Sequence, residues 1–470
     1  MKSTINFTIN IVLLLLVAGL GSCKKYLDVI PKGQKIPTTL ADFEALVRDE
    51  YTNHRAPIIQ AVLLLNDKWE SQSNLNYYPL WKANYMWDES ANRVNLNNAD
   101  ESAYYTAYAA ISTFNLILQY APGATDATDA DKSTLIAQAK LARAIHYFIL
   151  VNYYADTYEA SNAASKLSVP LIESADIDAS YKQVSIQEMY DYIISNATEA
   201  IPDLPVKGAT IVHGTKGAAY AFLARVYLQM SDFDKALSYA NQALAQNDKL
   251  FDYTAYYQTY KAQIDQAGNY PSLPTPRGYD YIENYIMMHG EAIYSRREYN
   301  LRVDRAARFE TGDAMLLSRW KSRLVGAETY YYAISTGRYN EGGITTTEVY
   351  LIKAECLARK NDLAGAMDAL NAVRVKRILA ANYTALTASS TAAAIDFIRR
   401  TKENESLFNI VAFGDMRRFN KDPLYAKTYT KTENAITVSL KPASPMWTMP
   451  FPLGAIKNPG NGAIQQNVNQ

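Results

Sequence analysis

Cysteine is nearly absent from this chain, with Cys23 and Cys356 the only two in 470 residues. Two cysteines allow one bridge at most, so no disulfide framework holds the fold and a hydrophobic core must do so. Histidine is almost as scarce. His54, His146, His213 and His289 are the four; none sits in an HExxH arrangement, and none is spaced from a second ligand-type residue as a zinc site requires. No metal and no other cofactor is expected. Charge of one sign is missing too: Lys+Arg and Asp+Glu are equal at 47 each, with no dense single-sign block. That excludes the basic footprint of a nucleic-acid-binding protein. Beyond the N-terminal run, no apolar stretch approaches the roughly 18 residues of a spanning helix.

Enzyme signatures are lacking as well. There is no GxSxG nucleophile motif. The stretch 208–216, GATIVHGTK, has one residue too many between its glycines for a phosphate loop, and Thr215 precedes Lys216. It lies between two helical patterns and reads as a turn and cap. The acidic pairs Asp88/Glu89 and Asp100/Glu101 are adjacent in sequence, which gives no separation in space for a glycosidase. The basic pairs Arg296/Arg297 and Arg399/Arg400 read as solvated helix faces or internal ion pairs. No catalysis is expected.

What is present begins at the N-terminus. Lys2 is followed by an uncharged apolar run over 9–20 and then by Leu20-Gly21-Ser22-Cys23. A basic start, an apolar segment too short to span a bilayer and small residues before a cysteine describe a lipoprotein signal, residues 1–22. Cleavage leaves Cys23 as the lipidated N-terminus. At roughly 0.8 kcal/mol per buried methylene, two or three acyl chains anchor a protein to a membrane almost permanently. Residues 23–37 read as an extended arm, since Pro31, Gly33 and Pro37 oppose helix. Residues 38–470 read as a single domain. Within it Cys356, in the helical run 350–358, reads as a small buried hydrophobe.

Helical periodicity dominates that domain. Thr38/Thr39 cap a helix with Leu40, Phe43, Leu46 and Val47 on one face, and 103–120 and 133–154 read as long helices around a loop at 122–130. The clearest helix pair is 215–247, turning at Met230-Ser231-Asp232. It resembles the tetratricopeptide repeat, with large Leu223, Tyr227 and Phe233 and small Ala224, Ala236 and Ala243 at the consensus places. Helices approach closely where one side presents alanine, and aromatics fill the remaining gap. A second pair runs over 347–377 with Lys360-Asn361-Asp362 as its turn, and poorer pairs cover 104–154 and 187–230. One pair cannot bury its own face, so a stacked helical scaffold is expected.

The unusual abundance is 37 tyrosines, beside 13 Phe and 5 Trp. Many concentrate in two weakly periodic segments, 51–100 and 250–345, too aromatic to be disordered and expected to be functional inserts. Sugar rings stack an apolar face on an aromatic side chain while Asn, Asp, Arg or Gln bonds their hydroxyls, each stack contributing on the order of 1 kcal/mol. The best local candidate is Trp81, Asn84, Tyr85 and Trp87, with Trp81 and Tyr85 four apart and so on one helical face. Tyr279, Tyr281 and Tyr285 form a second, and Trp320 a third.

Read together, the chain resembles the SusD/RagB family of outer-membrane nutrient-binding lipoproteins. The start CKKYLD at 23–28, the helices TKGAAYAFLARVYL at 215–228 and EVYLIKAE at 348–355, and LNAVR at 370–374 carry the likeness. So do Asp415-Met416-Arg417-Arg418 and the tail PFPLGAI at 450–456, all in matching order. Residues 409–412 depart from the Glu-Gly-x-Arg-like stretch usual in the family, and the C-terminus stops short of the usual ending. The resemblance implies a mostly α fold: a tetratricopeptide-like helical-pair scaffold with irregular, aromatic-rich inserts on the ligand side. It implies capture of oligosaccharides, without chemistry, as the lid of a SusC-like TonB-dependent transporter. It also implies an outer-membrane location facing outward; Lys24 and Lys25, rather than an acidic run, follow Cys23, so that orientation rests on the resemblance alone. The alternative is a scaffold or importer subunit that binds peptides in the concave face of its repeats.

Overall fold

Alanine-rich amphipathic segments become the frame of this protein. The structure is a computed structural model that describes residues 37–96, 102–266, 273–274, 278–290, 299–326, 328–334, 339–433 and 435–468. The expected signal peptide, arm and Cys23 lie outside the described residues. Among the described residues helix makes up about 51% and sheet little, which places the chain in the mostly α class.

The main helices in chain order are α1 (Leu40–Arg48), α2 (Ile59–Leu65), α3 (Gln72–Tyr77), α4 (Pro79–Tyr85), α5 (Ser102–Tyr120), α6 (Asp129–Tyr154) and α7 (Ile186–Ala200). They continue with α8 (Lys216–Gln229), α9 (Phe233–Leu244), α10 (Tyr253–Ile264), α11 (Thr346–Arg359), α12 (Leu363–Arg374), α13 (Thr391–Glu405) and α14 (Ile410–Asn420). Successive partners pack in a row: α5 on α6, α6 on α7, α7 on α8, α8 on α9, α9 on α11, α11 on α12 and α13. The strands among the described residues form four two-stranded antiparallel pieces. These are β1 (Leu167–Leu171) with β2 (Lys182–Ser185), and β3 (Asn284–Ile286) with β6 (Ile344–Thr345). The other two are hairpins, β4 (Trp320–Val325) with β5 (Glu328–Ala333) and β7 (Tyr429–Glu433) with β8 (Ile436–Leu440).

Local chemistry fixes the helix ends. Thr39 caps α1 and Thr215 caps α8, each side-chain oxygen accepting from the backbone N–H three residues on. Helix α6 starts at Asp129, four residues earlier than its apolar periodicity announces, because Thr128 and Asp131 form a capping box that reaches back into the supposed loop. The two repeat turns match closely. Ser231 and Asn361 both take positive φ, +61° and +63°. Asp232 and Asp362 then cap α9 and α12 with φ/ψ of −85°/80° and −85°/79°.

Across the first repeat Ala224 of α8 meets a partner that presents Ala236, Ala240 and Ala243, all fully buried, while the Tyr227 and Tyr239 rings stack with centroids 5.5 Å apart. Ala240, where the repeat consensus carries an aromatic, is part of this close approach. One described helix, α6, is long and apolar enough to cross a membrane, and 83% of its most apolar window is buried in the protein, as befits a core helix. Cys356 is fully buried and burial pushes its thiol up to about 12, leaving an inert small hydrophobe.

The segment 250–345 is less irregular than its periodicity indicates. It contains α10 and the β4–β5 hairpin. Buried arginines bind such segments to the scaffold. Arg225 of α8 pairs bidentately with Glu348 of α11 at 2.7 and 2.6 Å and donates to the Gly343 carbonyl at 2.6 Å. Arg377 joins Glu283 at 2.9 Å and Glu405 at 2.8 Å. Arg305 holds Asp67 at 2.6 Å. In the aspartate/arginine segment, Arg418 of α14 grips Glu355 at 2.7 and 2.8 Å, and Asp415 takes Lys402 at 2.6 Å. The Asp415 carboxyl, pushed up by burial, ends below its ordinary range because Lys402 and Arg418 outweigh that burial.

Candidate functional site

Two short helices, α3 and α4, meet at Tyr78-Pro79 and turn an aromatic edge outward. Ser71 caps α3, accepting from the Asn74 N–H at 3.2 Å. Pro79 occupies the first turn of α4, where its missing N–H costs nothing. The junction leaves Tyr77 76% and Tyr78 42% exposed, and Trp81 half-buried. Tyr78 stacks on Trp81 with centroids 4.4 Å apart and planes 28° apart, and Tyr77 stands edge-on to Tyr78 at 4.7 Å. The Lys68 ammonium lies 5.1 Å from the Trp81 ring and pairs with Glu70, whose other oxygen accepts from the Asn74 amide at 2.7 Å.

A second aromatic pair borders this edge. Trp69 stacks on Tyr330 of β5, centroids 4.0 Å and planes 11° apart. Trp69 also opens a cleft of about 550 Å³ whose polar walls include Glu70, Gln72, Asp304, Glu328 and Glu433. Arg302 and Lys431 supply its cations. Arg302 bonds Glu433 at 2.7 Å and Asp304 at 2.9 Å. Burial first, and then repulsion from Arg302, lowers the Lys431 ammonium to about 7, although it packs 4.0 Å from the Tyr85 ring. The arrangement offers flat apolar faces beside carboxylates, amides and cations, a surface suited to a hydroxylated ring ligand.

The expected ligand residues separate into two groups. Trp81 reaches the surface, and Tyr279 is half-buried with its hydroxyl donating to Glu50. The other six are interior, where the expectation was of direct ligand contact. Asn84 is fully buried and donates to the Gln60 side chain at 2.6 Å. Tyr85 lies under Trp81 on the same face of α4, packed with Ile59, Leu63 and Leu75, and burial raises its hydroxyl to about 12. Trp87 sits at φ +51° and donates its indole N–H to the Leu64 carbonyl at 2.6 Å. Tyr281 packs against Phe251, Tyr285 donates to the Asn247 carbonyl, and Trp320 donates to the Tyr299 carbonyl at 3.0 Å. Aromatic pattern alone does not tell a core face from a ligand face.

Tyr77 and Tyr78 were not among the candidates, though one signal was present. Two aromatics immediately before a proline fall at a helix junction, because proline drives its predecessor out of helical conformation. Trp69 and Tyr330 are 261 positions apart in sequence, and no local pattern pairs them.

Among the described residues no group of three or more His, Cys, Asp or Glu side chains could hold a metal ion. All four histidines are buried, and His54 and His146 are tied to the Val47 and Asn53 carbonyls at 2.6 and 2.8 Å. Asp88 and Glu89 are exposed, while Asp100/Glu101 and Arg296/Arg297 fall outside the described residues. Arg399 is a buried partner of Glu403 at 3.1 Å.

Comparison with known proteins agrees with this architecture. A sequence profile described as starch-binding, associating with the outer membrane, matches residues 25–228, and the SusD family profile matches residues 205–469. SusD-like protein P2 of Formosa agariphila is 29% identical over 220 residues, covering 43% of this chain; the match spans 41% of that relative's length. Among solved structures, a SusD superfamily protein from Bacteroides thetaiotaomicron superposes with a TM-score of 0.68 at 16% identity, covering 92% of this chain and 100% of that one. A SusD-like carbohydrate-binding protein from Bacteroides vulgatus gives 0.65 at 17%, covering 91% and 99%. At these identities the superpositions establish a shared fold. With a family profile running over more than half of the chain, and stacked helix pairs carrying arginine-tied aromatic inserts, this chain belongs to the SusD family.

Proposed function

We propose that this protein is a non-enzymatic glycan-binding lipoprotein of the outer membrane. It captures oligosaccharides or polysaccharide fragments for import through a SusC-like TonB-dependent transporter. The observation that carries the reading is the exposed Tyr77–Tyr78–Trp81 edge beside the Trp69–Tyr330 stack, on inserts outside the helical repeats, in a member of this family. The profile matching residues 25–228 is described by starch binding and outer-membrane association, which supports the ligand class and the location. The lipoprotein signal supports anchoring through Cys23, and membership of the family supports a protein that faces outward. Residues 38–470 are read as one SusD-like domain.

Native affinity electrophoresis of the full-length chain in detergent, through gels cast with a panel of polysaccharides, tests this. Selective retardation by one polymer, lost on joint Tyr77→Ala, Tyr78→Ala and Trp81→Ala substitution without loss of fold, is the expected result. Retardation unchanged in that variant sinks the site assignment. No retardation by any polymer favours the peptide-binding reading.

A further inference from the structure

A second cavity, of about 570 Å³, opens where the end of α6, the end of α14 and the loop 441–448 converge. Its walls include Arg93, Arg417, Asn420, Asp156 and Trp447. Both arginines are almost wholly buried, at 2% and 3% exposure. Arg225, Arg305, Arg377 and Arg418 each meet a carboxylate. These two do not.

Arg93 donates to the carbonyls of Pro445, Thr448 and Met446 at 2.9, 3.0 and 3.4 Å and to the Asn84 amide oxygen at 3.3 Å. Arg417 donates to the carbonyls of Asn152 and Ala155 and to the Thr448 hydroxyl at 3.5 Å, and its Nε has no partner. Burial lowers both guanidiniums to about 10. The amide oxygen and nitrogen of Asn420 are likewise buried and unpartnered. The other charges in the wall are largely spoken for. Asp156 pairs with Lys166 at 2.6 Å and Lys421 with Glu159 at 2.7 Å, leaving Glu89 as the remaining carboxylate near Arg93.

Buried donors without acceptors, beside two guanidiniums whose nearest carboxylates, Glu89 and Asp156, act on them without a direct ion pair, describe the cradle of an anion. We propose that this cavity is a second binding site, for a carboxylate or sulfate group either free or carried on a sugar, held by Arg417 Nε and Asn420 Nδ2 with Arg93 adding positive charge. A volume of about 570 Å³ lies within the range of ordinary small-ligand sites. The assignment stands on its own residues and does not depend on what the aromatic edge binds.

The test is thermal protection and tryptophan fluorescence of the full-length chain in detergent, titrated at constant ionic strength with galacturonate, galactose and inorganic sulfate. Trp447 in the wall supplies the optical signal. Galacturonate is expected to protect where galactose does not. Protection by sulfate as well marks a free oxyanion as sufficient, and protection by galacturonate alone marks a sugar-borne carboxylate. In Asn420→Asp an internal carboxylate satisfies Arg417 and repels the ligand, so affinity falls at least tenfold while the melting temperature holds or rises. Asn420→Leu, without charge, loses at least tenfold as well. Equal protection by galactose and galacturonate overturns the proposal. So does no protection by any of the three, or affinity in folded Asn420→Asp and Asn420→Leu within twofold of the unsubstituted chain.

Discussion

Trp81 and Trp87 sit six residues apart on one short segment and meet different surroundings. Trp87 is 7% exposed, with its indole N–H bonded to the Leu64 carbonyl. Trp87→Ala leaves a cavity and strips the Leu64 carbonyl of its indole donor, and is expected to cost about 3–5 kcal/mol. Trp81→Ala removes a half-exposed ring and is expected to cost about 1 kcal/mol or less while removing ligand contact. Denaturant midpoints of the two variants check the contrast, and equal losses would contradict the placement of Trp81. The buried histidines lower stability in acid, against the smaller opposing effect of the Asp313 carboxyl, which burial pushes up to about 7. Burial, only partly offset by the carbonyl bonds, lowers His54 to about 3 and His146 to about 4 from an ordinary 6.5. Above pH 6.5 both folded and unfolded chains hold these rings neutral. Below it the unfolded chain takes up protons that the folded one refuses. Stability is therefore full above the ordinary value and falls with decreasing pH, by about 1.4 kcal/mol per unit for each ring, until the folded values are reached. Denaturation midpoints measured from pH 7 to 4.5 should fall steadily, with a shallower slope in His146→Gln; a slope unchanged in that variant would refute the assignment.

At the scale of elements, the repeat turns and the helix-to-helix ion pair carry separate predictions. Ser231 is exposed and holds φ +61°, where Asn361 stands in the equivalent turn at +63°. A β-branched side chain tolerates that conformation poorly, so Ser231→Val should cost about 1 kcal/mol or more, and Ser231→Asn should cost nothing. Melting temperatures of the pair decide it. Glu348→Gln leaves the Arg225 charge buried between α8 and α11 without its counter-ion, and a loss of about 3–5 kcal/mol is expected by denaturant titration. A loss below 1 kcal/mol would mean that the Gly342 and Gly343 carbonyls suffice for that guanidinium. Much of this level was legible in advance. Cap residues Thr39 and Thr215 and the turns at 230–232 and 360–362 are local chemistry, encoded within a few residues. The start of α6 was not, because the Thr128–Asp131 box lies outside the apolar periodicity, and α10 was not, because its tyrosines blur that periodicity.

Over the whole molecule, the exposed aromatic edge and the helical scaffold occupy different parts of the sequence. That separation predicts that the triple alanine variant at Tyr77, Tyr78 and Trp81 abolishes polymer retardation while its melting temperature stays within about 2 °C, since exposed rings contribute little to folding. A parallel fall of binding and stability would instead make the edge a structural element. The mostly α class, the two clear repeat pairs, their caps and turns, and the wealth of aromatics in the inserts are written in the chain's residues. These follow from periodicity and from side chains acting on their own backbone, both of which are local. Which aromatics face outward was decided only by tertiary structure. Asn84, Tyr85, Trp87, Tyr281, Tyr285 and Trp320 have the composition of a sugar site and the burial of a core, because burial is set by segments far away in the chain. Distance in sequence also hides Trp69 on Tyr330, Arg377 between Glu283 and Glu405, and the convergence of Arg93 with Arg417 on one cavity. A stacking face or an unpaired charge exists only once the chain has closed around it.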